Sequence, residues 1–187
     1  MYPGCARVVT LYEGLRRIDE ELAGQVRARG CPDCGGRLDS GPWPRNPRGL
    51  PWAERQSWRR LGLCCAGCRR RVLPPSALFL GRKVYFAAIV LVSVAALQRR
   101  TVGASATALR RMFGMCEDTL RRWVSFFAVD VPQSTWWRTV RGRVSAEVRD
   151  EQLPDALLAQ WEEHGKPGEA ALAACLTFLA TAAVPVS

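Results

Sequence analysis

The chain has 187 residues, 48% of them hydrophobic, and a formal net charge of +10. That length holds one domain or two small ones, and the apolar fraction excludes global disorder. The charge is localised: residues 31–123 carry 17 basic against 5 acidic residues, a net of +12, whereas residues 124–187 net −3.

A concentrated excess made almost wholly of arginine is the electrostatic footprint of a nucleic-acid binder, because the guanidinium fork matches phosphate and guanine. The opening residues, MYPGCARVVT, lack the apolar run of a signal peptide. The expected location is therefore cytoplasmic, at the nucleoid. Eight cysteines in that compartment favour metal binding over disulfides.

Residues 11–28 space Leu11, Leu15, Ile18, Leu22 and Val26 along one face of an amphipathic helix, and Gly30 ends it. This stripe over residues 11–26 either packs on its own domain or forms a homodimer seam. Next come two C-x-x-C pairs, Cys31–Cys34 and Cys65–Cys68, separated by 30 residues. Two residues between thiolates let one tight turn present both sulfurs, and two such turns complete a tetrahedral structural Zn2+ site. The gap exceeds the common spacing of about 15–20. A Pro/Gly-rich loop, SGPWPRNPRGLPW, accounts for the excess.

The run Cys64-Cys65-x-x-Cys68 leaves open which of the first two is the ligand. Alternation along a strand makes Cys64 the spare thiol, so the expected set is Cys31, Cys34, Cys65 and Cys68. Four thiolates leave no open position for chemistry, so the metal is structural. It would fix Arg69, Arg70 and Arg71 in space, beside Arg59 and Arg60 on the preceding strand. Cys5, Cys116 and Cys175 read as small core residues. The single histidine, His164, is remote from the pairs.

After Pro74 and Pro75 the chain reads as helices. Val84–Leu97 is 14 residues, too short to cross a bilayer, and marks a central buried helix within 83–98. A second helix, 104–113, faces Leu109, Met112 and Phe113 inward and carries Arg110 and Arg111. Gly114 makes its turn. A third, 116–128, would bury Cys116, Leu120, Val124 and Phe127 and leave Thr119, Arg121 and Arg122 outside. Helices at 134–149, 153–163 and 168–181 follow, with Trp136, Trp137 and Trp161 as core anchors. The acidic balance and alanine-rich last helix make the C-terminal region a candidate surface for a protein partner, with no membrane role.

The order CPDCGG, spacer, LCCAGCRRRVLPPS, apolar helix, FGMCEDTLRRW resembles the zinc-ribbon and helix-turn-helix region of bacterial insertion-sequence transposases. It is also similar to small stand-alone proteins of that type on mobile elements. The resemblance covers residues 31–125. It implies zinc on the two cysteine pairs and element DNA read by Thr119, Arg121 and Arg122. Two departures stand out: Cys116 occupies the position of a capping serine, and no segment carries the βαβ signals of a catalytic core.

The expected fold is thus mainly α with a small β zinc ribbon. Residues 1–30 form an N-terminal helix, 31–75 the ribbon, 82–128 the helix-turn-helix and 134–187 further helices. The expected function is zinc-stabilised duplex-DNA binding without enzymatic activity. A transcription regulator of the same architecture is the alternative. An RNA-binding zinc ribbon, stacking bases on Trp43, Trp52 and Trp58, is a third reading.

Overall fold

The apolar run after Val84 becomes the axis of the molecule. In chain order the helices are α1 (Val9–Arg29), α2 (Ala87–Gln98), α3 (Ala106–Phe113), α4 (Glu117–Ser125), a one-turn α5 (Val131–Gln133), α6 (Thr135–Val140), α7 (Asp155–Glu163) and α8 (Glu169–Ala182). The structure, a computed structural model, describes residues 3–44, 47–50, 59–80, 84–166 and 168–182. Every residue of α2 from Ala87 to Ala96 is buried, as a helix apolar all round requires. The opening 3-10 turn Pro3–Arg7, α3, α4, α7 and α8 pack around it. Among the described residues no helix is long and apolar enough to cross a membrane.

The stripe on α1 is spent inside the chain. Leu11, Leu15 and Leu22 are buried, with α8 and the sheet packed against the helix. Three leucines of the 11–26 stripe thus have apolar partners within the chain.

Three strands make one antiparallel sheet in the order β1 (Leu38–Pro44), β2 (Arg59–Cys65), β3 (Arg71–Val72). The stretch SGPWP, expected as loop, is instead paired with β2 as far as Pro44 opposite Arg59. Among the described residues β1 is an edge strand, where a sheet tolerates prolines such as Pro42 and Pro44. A small second apolar cluster, Cys31, Leu38, Leu63 and Cys65, lies apart from the main core, with Val26 and Val72 against it.

Two helical expectations need correction. The segment 134–149 is helical only to Val140, followed by a 3-10 turn at Arg141–Arg143. Arg141 explains the break. Its guanidinium donates to the carbonyls of Ser145 and Val148 and to Asp150, which holds the chain in an open loop around one side chain. On α4 the buried residues are Leu120 and Trp123, followed by Phe127 in the π-helical turn Phe126–Asp130. Cys116 and Val124 are exposed instead. Trp123 offers more apolar area than Val124 and meets Tyr85 edge-on, with centroids 4.9 Å apart.

Candidate metal centre and nucleic-acid interface

Each cysteine pair sits on a tight knuckle, and the two knuckles repeat one hydrogen-bond pattern. In the first, Cys31 N–H donates to Gly36 O and Gly35 N–H donates to Cys31 O, both at 2.9 Å. In the second, Cys65 N–H donates to Arg70 O at 2.9 Å and Arg69 N–H donates to Cys65 O at 3.1 Å. The fifth residue of each turn is left-handed: Gly35 at φ +69° and Arg69 at φ +60°. A Cβ on Gly36 would lie 3.1 Å from Cys65 Sγ and 3.3 Å from Cys34 Sγ, so glycine there leaves room for the sulfurs.

The four sulfurs of Cys31, Cys34, Cys65 and Cys68 lie within 4.8 Å of one another. The pairs Cys31–Cys68 and Cys34–Cys65 are 3.6 and 3.4 Å apart. A tetrahedral ion with metal–sulfur bonds of about 2.3 Å needs sulfur–sulfur edges of about 3.8 Å. The cluster is positioned to bind a metal ion. Cys64 is outside it, its thiol directed at the carbonyl of Arg69, which answers the choice left open by the sequence.

The thiols also conflict electrostatically. The Cys68 N–H and the Cys34 thiol draw Cys65 down to about 7. The Arg70 N–H draws Cys68 down as well, but its contacts with the thiols of Cys31, Cys34 and Cys65 outweigh that and push it up to about 12. Four adjacent sulfurs cannot all carry charge without a cation among them. Cys31 and Cys65 are buried, whereas Cys34 and Cys68 reach the surface.

Arg69 bears a backbone cost its counterpart Gly35 avoids. A non-glycine residue in the left-handed region costs roughly 1–2 kcal/mol. Arg69→Gly is therefore expected to raise stability by about 1 kcal/mol, measured by denaturant unfolding of the metal-loaded chain.

The expected basic residues divide into three groups. Arg69, Arg70 and Arg71 are exposed around the second knuckle, with Arg70 bridging to Asp33 of the first at 2.8 Å. Arg60 is a correction. It is only 6% exposed and donates to Phe79 O and Pro74 O. Its place is inside the fold, because those carbonyls need a donor. The side chain of Arg59 lies outside the described parts, as do Trp52, Trp58 and the side chain of Trp43.

On the helical side, α3 and α4 meet at Gly114, whose left-handed φ of +60° ends α3. Tyr85 Oη donates to Gly114 O at 3.1 Å and pins this turn to the start of α2. Arg111 is exposed, but Arg110 is turned toward Glu117 across the turn at 3.3 Å. On α4, Arg121 pairs with Glu117 and Asp118, and Arg122 donates to Thr119 Oγ1 and Asp118 O. Such exposed pairs are worth about 0–1 kcal/mol. Cys116 is the N-cap of α4 but makes no capping bond. Its thiol, lowered first by the Thr119 hydroxyl, lies 3.1 Å from Thr119 Oγ1.

No family model, curated protein or solved structure compared with this chain matches it. The reading of the site therefore rests on its geometry.

Two features carry no signal in the sequence. One is Asp19, 4% exposed on α1, which accepts from the Ser76 hydroxyl and from the N–H groups of Ala77 at 2.6 Å and Leu78 at 3.4 Å. Nothing in one sequence marks an acid on a helix as a partner of residues nearly sixty positions away. The other is the segment 47–50. Arg48 N–H donates to Val84 O and the residue pairs with Tyr85. Gly49, at φ +106°, leaves no space for a side chain, since its Cβ would stand 2.5 Å from Ile89 Cδ1.

Proposed function

We propose that the chain is a zinc-stabilised duplex-DNA-binding protein, with the cysteine knuckles as a zinc ribbon and α3–α4 as a helix-turn-helix. The observation that carries this reading is α4. Its Leu120 and Trp123 are buried in the core, while Arg121 and Arg122 stand exposed on the other side with Thr119 beside them. That arrangement follows a pinned glycine turn and lies within the +12 block. Short side chains and arginines at the start of such a helix are suited to base edges, and surrounding arginines to phosphates.

The ribbon contributes Arg69, Arg70 and Arg71, held by the knuckle so that little ordering is needed when DNA binds. Zinc fits the donor set better than harder cations, which prefer oxygen ligands. Within this reading the protein is a transposase-like recognition factor of a mobile element, without catalysis and acting at the nucleoid. A transcription regulator built from the same parts is the second reading, favoured by the same helix.

Selection of fragmented genomic DNA on the zinc-loaded protein at about 0.15 M salt, where exposed charges are largely screened, tests it. Enrichment of repeated sites at element ends supports the recognition factor, and enrichment of single promoter-like sites supports the regulator. Uniform recovery that vanishes as salt rises leaves only phosphate attraction and overturns both. Arg121→Ala with Arg122→Ala is expected to weaken specific binding by about 1–3 kcal/mol for each arginine that reads a base edge, measured by titration of an enriched site. Unchanged affinity would remove α4 from the interface.

A further inference from the structure

Beside α4 lies a cavity of about 540 Å³ that shares Thr119 and Arg122 with the proposed DNA-reading face. Its lining combines two kinds of group. Phe126 offers a partly exposed ring beside the buried Tyr85 and Trp123, and Arg48, Arg122, Thr119 and Asp130 supply polar groups. The size suits a small-molecule site, for which about 300–1,000 Å³ is ordinary.

The fold fixes Arg48 at this cavity. Its backbone is held against Val84 and Tyr85. Gly49 is pressed on Ile89, and Leu50 is buried. A short segment clamped on both sides of an exposed arginine brings one guanidinium to a cavity whose other guanidinium comes from α4. Among the described residues Arg122 meets a hydroxyl and a carbonyl of its own helix and no carboxylate. Two arginines against one rim carboxylate, Asp130, give the cavity a positive bias with one anionic point. An anion held by Arg48 and Arg122 would leave Asp130 to accept from an amino or hydroxyl group of the same ligand.

We propose that this cavity binds one nucleotide, its phosphate between Arg48 and Arg122 and its base against the aromatic side. The shared chemistry is a nucleoside monophosphate, supplied either as a free mononucleotide or as an unpaired nucleotide at a DNA strand end. The second source rests on the DNA-binding reading; the first does not.

The test is calorimetric titration of the full zinc-loaded chain with deoxyadenosine monophosphate, deoxyadenosine, a blunt duplex and the same duplex with a short single-stranded overhang. Saturable binding of the monophosphate, with deoxyadenosine about tenfold weaker or more, is expected from the charge-assisted phosphate contacts. Arg48→Gln should weaken the monophosphate about tenfold, and Arg48→Lys should restore part of it. Tighter binding of the overhang than of the blunt duplex, sensitive to Arg48→Gln, assigns the occupant to a strand end. Monophosphate binding without an overhang gain assigns it to a free nucleotide. If neither ligand responds to Arg48→Gln, in a variant whose thermal unfolding is unchanged, the proposal is overturned. Failure of the blunt duplex alone counts against the DNA reading and leaves the pocket standing.

Discussion

Replacing Cys65 by serine is expected to abolish metal binding and to unfold the knuckle-and-sheet region, residues 31–44 and 59–72, while α2 and the helices around it stay folded. The reason is the size of what remains. Without metal, the region's own apolar core is Leu38 and Leu63 with partial help from Val26 and Val72, far too small to stand alone. Its further anchors are the hydrogen bonds of Arg60 and the packing of β2 on α1. Structural zinc supplies about 10–16 kcal/mol of apparent binding energy in small domains, so loss of a metal held with that energy would decide the fold locally. Cys65 is the most telling ligand because it is fully buried and its N–H and carbonyl close the second knuckle. Cys64→Ser is the control, expected to keep one metal equivalent. Metal analysis and the thiolate absorption of the cobalt-substituted protein read both. A chain purified with little metal that keeps its fold in chelator would refute the structural role.

Asp19→Ala is expected to destabilise the chain by about 3–5 kcal/mol in denaturant unfolding, the usual cost of removing one partner from a buried charged network. The carboxylate satisfies two backbone N–H groups and a hydroxyl, and the charge of Arg60 acts on it. Truncation leaves those donors buried without their acceptor. Burial pushes the Asp19 carboxyl up to about 6, although the Ser76 hydroxyl, the Ala77 and Leu78 N–H groups and Arg60 pull it down.

The direction of the pH effect follows from that rise. Between the unfolded value, 3.8, and about 6 the folded chain holds a proton that the unfolded chain has lost. This group's contribution to stability is therefore complete below 3.8 and declines as pH rises through 6, opposite to a carboxylate in a surface salt bridge. Asp19→Asn keeps an acceptor for Ala77 and Leu78, so it should cost less than alanine and remove that slope. A full loss of stability in the asparagine variant, with the slope intact, would place the effect elsewhere.

Much of this architecture can be read in the chain because its strongest signals are local. The C-x-x-C pairs and the apolar run after Val84 depend on spacing alone, and Gly114 marks its turn by a conformation few other residues adopt. The exposed side of α4 is also legible, although its buried side is set by Trp123 finding Tyr85, a contact across the fold. What could not be read is made by distant partners. Arg60 looks identical in sequence to its exposed neighbours, yet the carbonyls of Phe79 and Pro74 draw it inside. β1 forms through prolines because β2 supplies its partner, and the helix after Thr135 stops because Arg141 gathers carbonyls beyond it. Arg48 gains its position from Gly49 and Ile89, which no periodicity links.

The two knuckles share one design but not one composition. At equivalent positions the first carries glycine and the second Arg69, both left-handed. The motif thus has an inert half, built for ease of turning, and a half in which a long cation is held where glycine would be more comfortable. This asymmetry gives a nearly two-fold object a front and a back. On the reading proposed above, the front is the second knuckle, where an arginine is maintained against the preference of its own backbone and meets an anionic partner in a direction that the turn has already chosen.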